Sequence, residues 1–253
     1  MASSPGGYKK TYMLKATPVS LEAIILAGGM GTRLRSVVAD RPKVLAPVAG
    51  VPFLEIILHK LARNEFCHVV LSVGYMADHV VQAIGSSFAG MDVSYVYEKH
   101  PLGTGGGVRL ALDACRNDHA FVMNGDTFLD LDFHQVEEEW RKYGEIILIG
   151  RPVDNAVRYG RLYIKDGRVA GFLEKSSSGP GIINTGYYVL PLDALKDFPP
   201  GTAFSLENDF LHPLVTERPR RFFVTEATFI DIGIPDDYAR AQVLFKNWSV
   251  GSS

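Results

Sequence analysis

The residues of this chain best placed to do chemistry sit in glycine-rich turns that follow aliphatic runs. Leu26-Ala27-Gly28-Gly29-Met30-Gly31-Thr32-Arg33-Leu34-Arg35 comes directly after Ala23-Ile24-Ile25-Leu26. In open α/β sheets, ligands bind beyond the carboxyl ends of strands. Gly28, Gly29 and Gly31 would let the backbone approach a ligand and present bare N–H groups to an anion. Arg33 adds a permanently charged, forked donor matched to phosphate. Lys43, after Pro42, adds a point charge ten residues on. Two familiar phosphate loops do not fit. A P-loop needs a glycine five places after its first, and there Gly28 is followed by Arg33. A dinucleotide fingerprint starting at Gly29 finds Gly31 but then Leu34 where its last glycine should stand. A second turn, Leu102-Gly103-Thr104-Gly105-Gly106-Gly107, leads into a helical pattern, so its N–H groups would face a polar ligand at a helix N-terminus.

Regular elements must hold these turns in place. Ala23–Leu26, Val69–Val73 and Ala120–Met123 are short apolar runs that read as buried central strands, and Val93–Tyr97 reads as another. Between them, Phe53 to Arg63 places Phe53, Leu54, Ile57, Leu58 and Leu61 at helical spacing, Met76 to Ile84 reads as a short helix, and a third helix runs from the glycine turn to Cys115. This β-α-β-α alternation predicts a mostly parallel sheet covered on both faces. The second half predicts a strand at Ile146–Ile149 and a hairpin of Gly160–Ile164 with Arg168–Leu173, turning at Asp166-Gly167. Further strands follow at Gly186–Leu190 and Arg221–Val224, then a helix from Pro235 to Phe245. No linker divides the halves and no repeat is present. The expected organisation is one domain over residues 21–247, a loosely ordered tail over 1–20 and a short tail over 248–253.

Composition sets outer limits. The 253 residues carry a formal charge of −2, with 47 % hydrophobic and 21 % charged residues, as in soluble globular chains. Near-neutrality gives no reason to expect nucleic acid or an anionic membrane as partner. Glycine is in excess, at 25 residues, about 10 % against a usual ~7 %. Cys67 and Cys115 form no disulfide framework and read as two buried thiols. No run reaches the ~20 apolar residues of a membrane span, and the first twenty residues lack the apolar core of a signal peptide. A cytoplasmic setting is expected. The seven histidines show no metal-ligand spacing and read as surface or packing residues. Glu137-Glu138-Glu139 reads as a solvated helix face, and Trp140 and Trp248 as packing residues.

Taken together, Leu26-Ala27-Gly28-Gly29, Gly31-Thr32-Arg33-Leu34, Pro42-Lys43 and Pro47-Val48 closely resemble the leading motif of sugar-1-phosphate nucleotidyltransferases. The resemblance implies a Rossmann-like α/β fold, a mixed, mostly parallel sheet flanked by helices in a single domain. It continues through Leu102–Gly107, similar to the family's second nucleotide loop. Asn124-Gly125-Asp126-Thr127 and Phe229-Ile230-Asp231 match its two metal-binding Asp segments. Phe172-Leu173-Glu174-Lys175, Ile183-Asn184-Thr185-Gly186 and Tyr159-Gly160 match its sugar-contacting segments, with Gly125 beside them.

What the resemblance implies is a nucleotidyl transfer. A sugar-1-phosphate oxygen attacks the α-phosphorus of a nucleoside triphosphate and pyrophosphate leaves. Arg33 would meet the triphosphate, Lys43 the α-phosphate region and Lys175 the sugar phosphate. Asp126 and Asp231 would hold Mg²⁺, two hard carboxylates plus phosphates being a usual Mg²⁺ site. Leu26, Ala27, Gly28, Gly29, Gly31, Thr32, Gly103, Thr104 and Gly105 would line the nucleotide. Glu98 would read the base: a carboxylate accepts from the adjacent N1–H and N2–H₂ of guanine, whereas uracil and thymine suit an amide. That favours GTP.

Arg33 to Asp40, Pro52-Phe53-Leu54-Glu55, Leu71 to Tyr75 and Asn124 to Phe128 are further similar to D-glycero-α-D-manno-heptose 1-phosphate guanylyltransferases. Their product is a donor for capsule or surface polysaccharide. Gly107 departs from the Ala that many relatives carry. Mannose 1-phosphate with GTP and N-acetylmuramate 1-phosphate with UTP stay open, as does an inactive nucleotide-sugar-sensing subunit. A homodimer is compatible with all of them.

Overall fold

The structure is a computed structural model that describes residues 20–29, 34, 38, 40–173 and 179–246. In chain order, β1 (Leu21–Leu26) is followed by the two-residue strands β2 (Pro47–Val48) and β3 (Val51–Pro52), α1 (Phe53–Arg63), β4 (Phe66–Val73), α2 (Ala77–Ile84) and β5 (Ser87–Phe88). Then come β6 (Met91–Tyr97), α3 (Gly103–Leu112), β7 (His119–Asn124), β8 (Thr127–Leu129) and α4 (Phe133–Tyr143). The second half adds β9 (Ile147–Val153), β10 (Arg161–Lys165), β11 (Arg168–Leu173), β12 (Gly181–Pro191), α5 (His212–Glu217), β13 (Arg221–Val224), β14 (Phe229–Asp231) and α6 (Pro235–Leu244).

The main sheet runs β11-β10-β12-β7-β1-β4-β6-β5, with β9 beside β12 and β13 beside β9. Its centre is parallel: β1 pairs with β4 and β7, and β4 with β6. The flank is antiparallel, through β12 on β7 and on β9 and β10 on β11. The α/β expectation holds, and the sheet is mixed as the resemblance implied.

Alternation along β1 divides the core. Ala23 and Ile25 face one layer with Phe53, Leu58, Phe133, Trp140 and Phe245, drawn from α1, α4 and the end of α6. Ile24 faces the other with Val108, Ala111, Leu206 and Val215, drawn from α3, α5 and the π-helical segment Leu206–Leu211 that leads into α5. Burying a side chain such as Phe53, which is 0 % exposed, contributes about 1.5–3 kcal/mol. Asp166 and Gly167 both take positive φ, at 50° and 70°, so the β10–β11 hairpin turns as its Asp-Gly predicts.

The packing expectations resolve differently. Trp140 is buried and stacks on His119 at 3.8 Å, as a packing residue should. Glu137, expected on a solvated face, is instead buried. Its carboxylate meets His119 Nε2 at 2.6 Å and accepts from Arg141 Nε at 2.6 Å, the partners a buried carboxylate requires. Cys67, expected buried, is exposed, because it is the extra, unpaired residue of a bulge in β4 where the β1 register passes from Leu21–Phe66 to Glu22–His68, and Cys115, also expected buried, is half-buried. Trp248 lies outside the described residues.

Candidate active site

The parallel strands β1, β4 and β6 end at one edge of the sheet. A cavity of about 470 Å³ opens there, walled by Leu26, Gly28, Gly29, Tyr75, Glu98 and the Gly103-Thr104 turn. Glu98 faces it as an anchored fork. Its Oε1 accepts from the Ser72 hydroxyl at 3.1 Å, and its Oε2 from the Leu102 amide at 3.0 Å. A Cβ built on Gly28 would lie 2.5 Å from Glu98 Oε1. The absence of a side chain at Gly28 is what lets the loop after β1 pass this carboxylate. Gly29 has open space around it.

The second glycine turn works differently from the sequence reading. Gly103, at φ +69°, approaches the Phe204 carbonyl so closely that a Cβ would lie 2.5 Å from it. Gly105 donates its N–H to the Phe204 carbonyl at 3.0 Å and lies beneath the Phe204 ring, where a Cβ would collide. Its amide is therefore committed within the protein, and Gly105 does not line the cavity. Thr104 lines the cavity, but its hydroxyl donates to Glu207 at 2.9 Å and accepts from the Leu206 amide at 2.9 Å. The glycine run mainly lets α3 pack under the 202–206 segment.

Beside the cavity lies a charged cluster. Leu26 links the two, its carbonyl accepting the Gly125 amide at 2.9 Å. A Cβ on Gly125 would sit 2.7 Å from that carbonyl, so the Asn124-Gly125-Asp126 turn needs glycine to stay close to β1. Lys43 opens a single 3-10 turn, Lys43–Leu45, pinned by the buried Val44 and Leu45. Its ammonium donates to Asp126 Oδ2 in a charge-assisted hydrogen bond. Asp231 reaches the same place through β14, which pairs antiparallel with β8 so that Asp231 opposes Thr127. The Ile232 amide then donates to the Asp126 carbonyl at 2.9 Å. Asp231 Oδ1 accepts the Gly233 amide at 2.6 Å. A Cβ on Gly233 would lie 2.7 Å from Asp231 Oδ1 and 3.1 Å from Lys43 Nζ, so ammonium and carboxylate border one small space. Asp126, 83 positions downstream of Lys43, thus pairs with it, and Asp231, 188 positions downstream, borders the same space. Among the described residues, no group of three or more His, Cys, Asp or Glu side chains could hold a metal by itself.

The sugar-side residues gather at the start of β12. The Gly160 carbonyl accepts the Asn184 amide at 2.8 Å. Asn184 Nδ2 donates to Tyr188 Oη at 2.7 Å. Thr185 is 3 % exposed and donates its hydroxyl to the Ile149 carbonyl at 2.8 Å. It braces the turn from inside, and its side chain is not presented to a ligand. Tyr159 packs edge-on against Phe229 at 5.7 Å, two residues before Asp231. Burial, then the nearby Asp237 carboxylate, pushes the Tyr159 phenol pKa up. Its neighbour Arg158 pairs with the buried Asp237 at the start of α6. Gly31, Thr32, Arg33, Glu174 and Lys175 lie outside the described residues. Sequence reasoning passed over Ser72, although it is the lone polar residue in Val69-Val70-Leu71-Ser72-Val73. It also passed over Glu207, whose turn carries no motif.

The doubly covered sheet thus carries a cavity and a basic-acidic cluster at its carboxyl edge, where open α/β sheets bind their ligands. Residues 22–247 match the nucleotidyl transferase family, and the chain belongs to it. The chain is 36 % identical to the D-glycero-alpha-D-manno-heptose 1-phosphate guanylyltransferase of Aneurinibacillus thermoaerophilus, over 88 % of this chain and 97 % of that protein. It is 33 % identical to the mannose-1-phosphate guanylyltransferase of Mycobacterium tuberculosis, covering 87 % of this chain but 63 % of that one. Among solved structures, HddC from Yersinia pseudotuberculosis matches at a TM-score of 0.80 and 37 % identity, over 89 % of this chain and all of HddC. HddC has also been solved complexed with GMP-PN. Among the described residues, no helix is long and apolar enough to cross a membrane.

Proposed function

We propose that this chain transfers the guanylyl group of GTP to D-glycero-α-D-manno-heptose 1-phosphate, giving the GDP-heptose and pyrophosphate. The product would serve as a donor for capsule or surface polysaccharide. The observation that carries the reading is the adjacency of two features: a cavity walled by the Glu98 fork, and, across Leu26, the Lys43, Asp126 and Asp231 cluster. Similarity to proteins named as heptose 1-phosphate guanylyltransferases, and the GMP-PN complex of HddC, support the same direction.

The sugar-phosphate nucleophile is already an anion, so the chain needs no general base. What it must do is bring two polyanions together and stabilise charge at the α-phosphorus. In this reading Arg33 and the amides of Gly28 to Thr32 take the triphosphate, Lys43 the α-phosphate and Lys175 the sugar phosphate. Glu174, Asn184, Tyr159 and Gly160 shape the sugar side. Without substrate, Lys43 and Asp126 neutralise each other. A bound α-phosphate competes for Lys43 and frees the Asp126 carboxylate.

The donor set fits a divalent cation such as Mg²⁺. Asp126 and Asp231 are hard oxygen donors, one in the turn before β8 and the other at the end of β14, which pairs with β8, and they are too few to satisfy a metal without phosphate and water. When bound, such an ion supplies charge neutralisation across the phosphates.

The test is a pyrophosphate-release assay crossing the four common nucleoside triphosphates with heptose, mannose and N-acetylmuramate 1-phosphates. GTP with the heptose phosphate is expected to give the highest kcat/KM. Release with UTP alone would overturn the guanine reading. Preference for mannose 1-phosphate would overturn the heptose assignment, and no release with any pair would overturn the enzymatic one.

A further inference from the structure

Ser72 lies in the middle of the sheet, on β4, and is 0 % exposed. A buried hydroxyl needs a partner, and this one has a functional partner. It donates to Glu98 Oε1, while the Ser72 carbonyl accepts the Ala27 amide at 2.8 Å and so ties the loop after β1 to the same strand. The terminal torsion of a glutamate is broad and roughly two-fold. Left alone, the Glu98 carboxylate plane would turn freely. Here each oxygen takes one protein donor, Ser72 on one side and the Leu102 amide on the other. A carboxylate has about four acceptor positions, so each oxygen keeps one for a ligand. That is the pattern needed to meet two adjacent N–H donors.

The surroundings of this contact are cleared of side chains. A Cβ on Gly107 would lie 2.9 Å from Ser72 Oγ and 3.2 Å from Glu98 Oε1. On the other side, Gly28 leaves the space described above. Gly107 is a mid-helix glycine, at a cost of about 1 kcal/mol relative to Ala. Helix stability gives no reason for it. It leaves open space beside the Ser72–Glu98 contact.

We propose that Ser72 is a positioning residue for base selection. With the Leu102 amide, its hydroxyl fixes the Glu98 carboxylate so that both oxygens accept from guanine, at N1–H and at the 2-amino group. This rests on the guanine reading given above. A Ser72 that merely satisfied its own burial would affect stability but not the choice between bases.

The discriminating substrate is ITP, which keeps N1–H and lacks the 2-amino group. The wild-type chain should prefer GTP over ITP in kcat/KM with heptose 1-phosphate, and Glu98→Gln should bring the ratio close to one. Ser72→Ala is expected to lower the GTP/ITP ratio by about tenfold, the scale of one charge-assisted hydrogen bond, mainly through KM for GTP. Ser72→Cys, close in shape with a weak donor, should fall between and keeps the test available should Ser72→Ala fail to fold. A GTP/ITP ratio unchanged in Ser72→Ala or Ser72→Cys, while Glu98→Gln collapses it, overturns the role of Ser72 and leaves the guanine reading standing. A wild-type chain indifferent to GTP and ITP, or a ratio untouched by Glu98→Gln, overturns the guanine reading and this inference with it.

Discussion

Lys43 and Asp126 show how much of the chemistry is decided by single residues. Each is partly buried, with side chains 11 % and 30 % exposed, and each is the other's counter-ion; in the proposed reaction the α-phosphate takes Lys43 from Asp126. Removing one preorganised charge of this kind typically costs ~10²–10³ in rate. Lys43→Ala and Asp126→Ala are each expected to lose at least that much in kcat/KM with the fold intact, and the double variant to lose much less than the product of the two, because the residues act as a unit. Steady-state kinetics of the three variants, with circular dichroism to check folding, reads this out. Multiplicative losses would mean that the two act separately.

Residues of this kind were legible in the sequence: Lys43, Glu98, Asp126 and Asp231 stand beside proline, glycine or a strand end, where a charge has few structural uses. Glu137 and Cys67 were not. Whether a polar side chain is buried depends on partners such as His119, 18 residues away, or on a strand irregularity. Neither leaves a local trace. Thr185 likewise faces inward because β9 offers it a carbonyl.

At the scale of elements, α3 repays the closest reading. Four glycines in ten residues would make a poor helix by propensity. The structure explains most of them by close approach of the 202–204 backbone and the Phe204 ring. Gly106→Ala would place a Cβ 2.5 Å from the Thr202 carbonyl and 2.7 Å from Leu102 Cβ. Overpacking of this sort costs about 1–3 kcal/mol, which outweighs the propensity gain, so thermal unfolding should show a midpoint lower by several degrees. A midpoint equal to wild type would mean that α3 is not held by this packing.

Periodicity found the buried strands of the parallel centre and α1 to within a few residues, because a two-sided apolar run or a 3.6-residue stripe survives in any context, but it saw only the second half of β12 and the first half of β9. It missed β8 and β14. Three-residue strands have too little pattern to see, yet their pairing is what brings Asp126 and Asp231 together. The proximity of Asp126 and Asp231 was thus implied by the resemblance and not by spacing, and the pairing of β8 with β14 accounts for it.

Over the whole molecule, the end of the sheet opposite the cavity is held by buried charge. Glu22 is 2 % exposed, meets His68 Nδ1 at 2.6 Å and accepts the Arg116 and Asn117 amides at 2.8 and 2.7 Å. Burial pushes its carboxyl pKa up, but the hydrogen bonds outweigh it and hold the group below its ordinary range. Glu137 behaves alike, burial being outweighed first by His119 and then by Arg141. A carboxylate depressed in the folded state stabilises the fold above its unfolded pKa and loses that contribution as pH falls through the folded one. Denaturant midpoints should therefore hold steady from neutrality to about pH 5 and fall below about pH 4. Glu22→Gln should flatten that acid limb and cost about 1–3 kcal/mol at neutral pH. An acid limb of unchanged slope in Glu22→Gln would remove Glu22 from the account.

The formal charge of −2 first seemed to speak against phosphate-rich partners. The fold shows why a global balance says little: a cation, Lys43, stands with Asp126 beside the cavity at the carboxyl edge of the sheet. The claim that this edge transfers a nucleotidyl group is tested most directly by the fate of label. With heptose 1-phosphate as acceptor, GTP labelled at the α-phosphorus should pass its label into the sugar nucleotide, and GTP labelled at the γ-phosphorus should yield labelled pyrophosphate. Label from the γ-position appearing in the sugar phosphate or in inorganic phosphate, with the α-label remaining in GDP, would contradict the account.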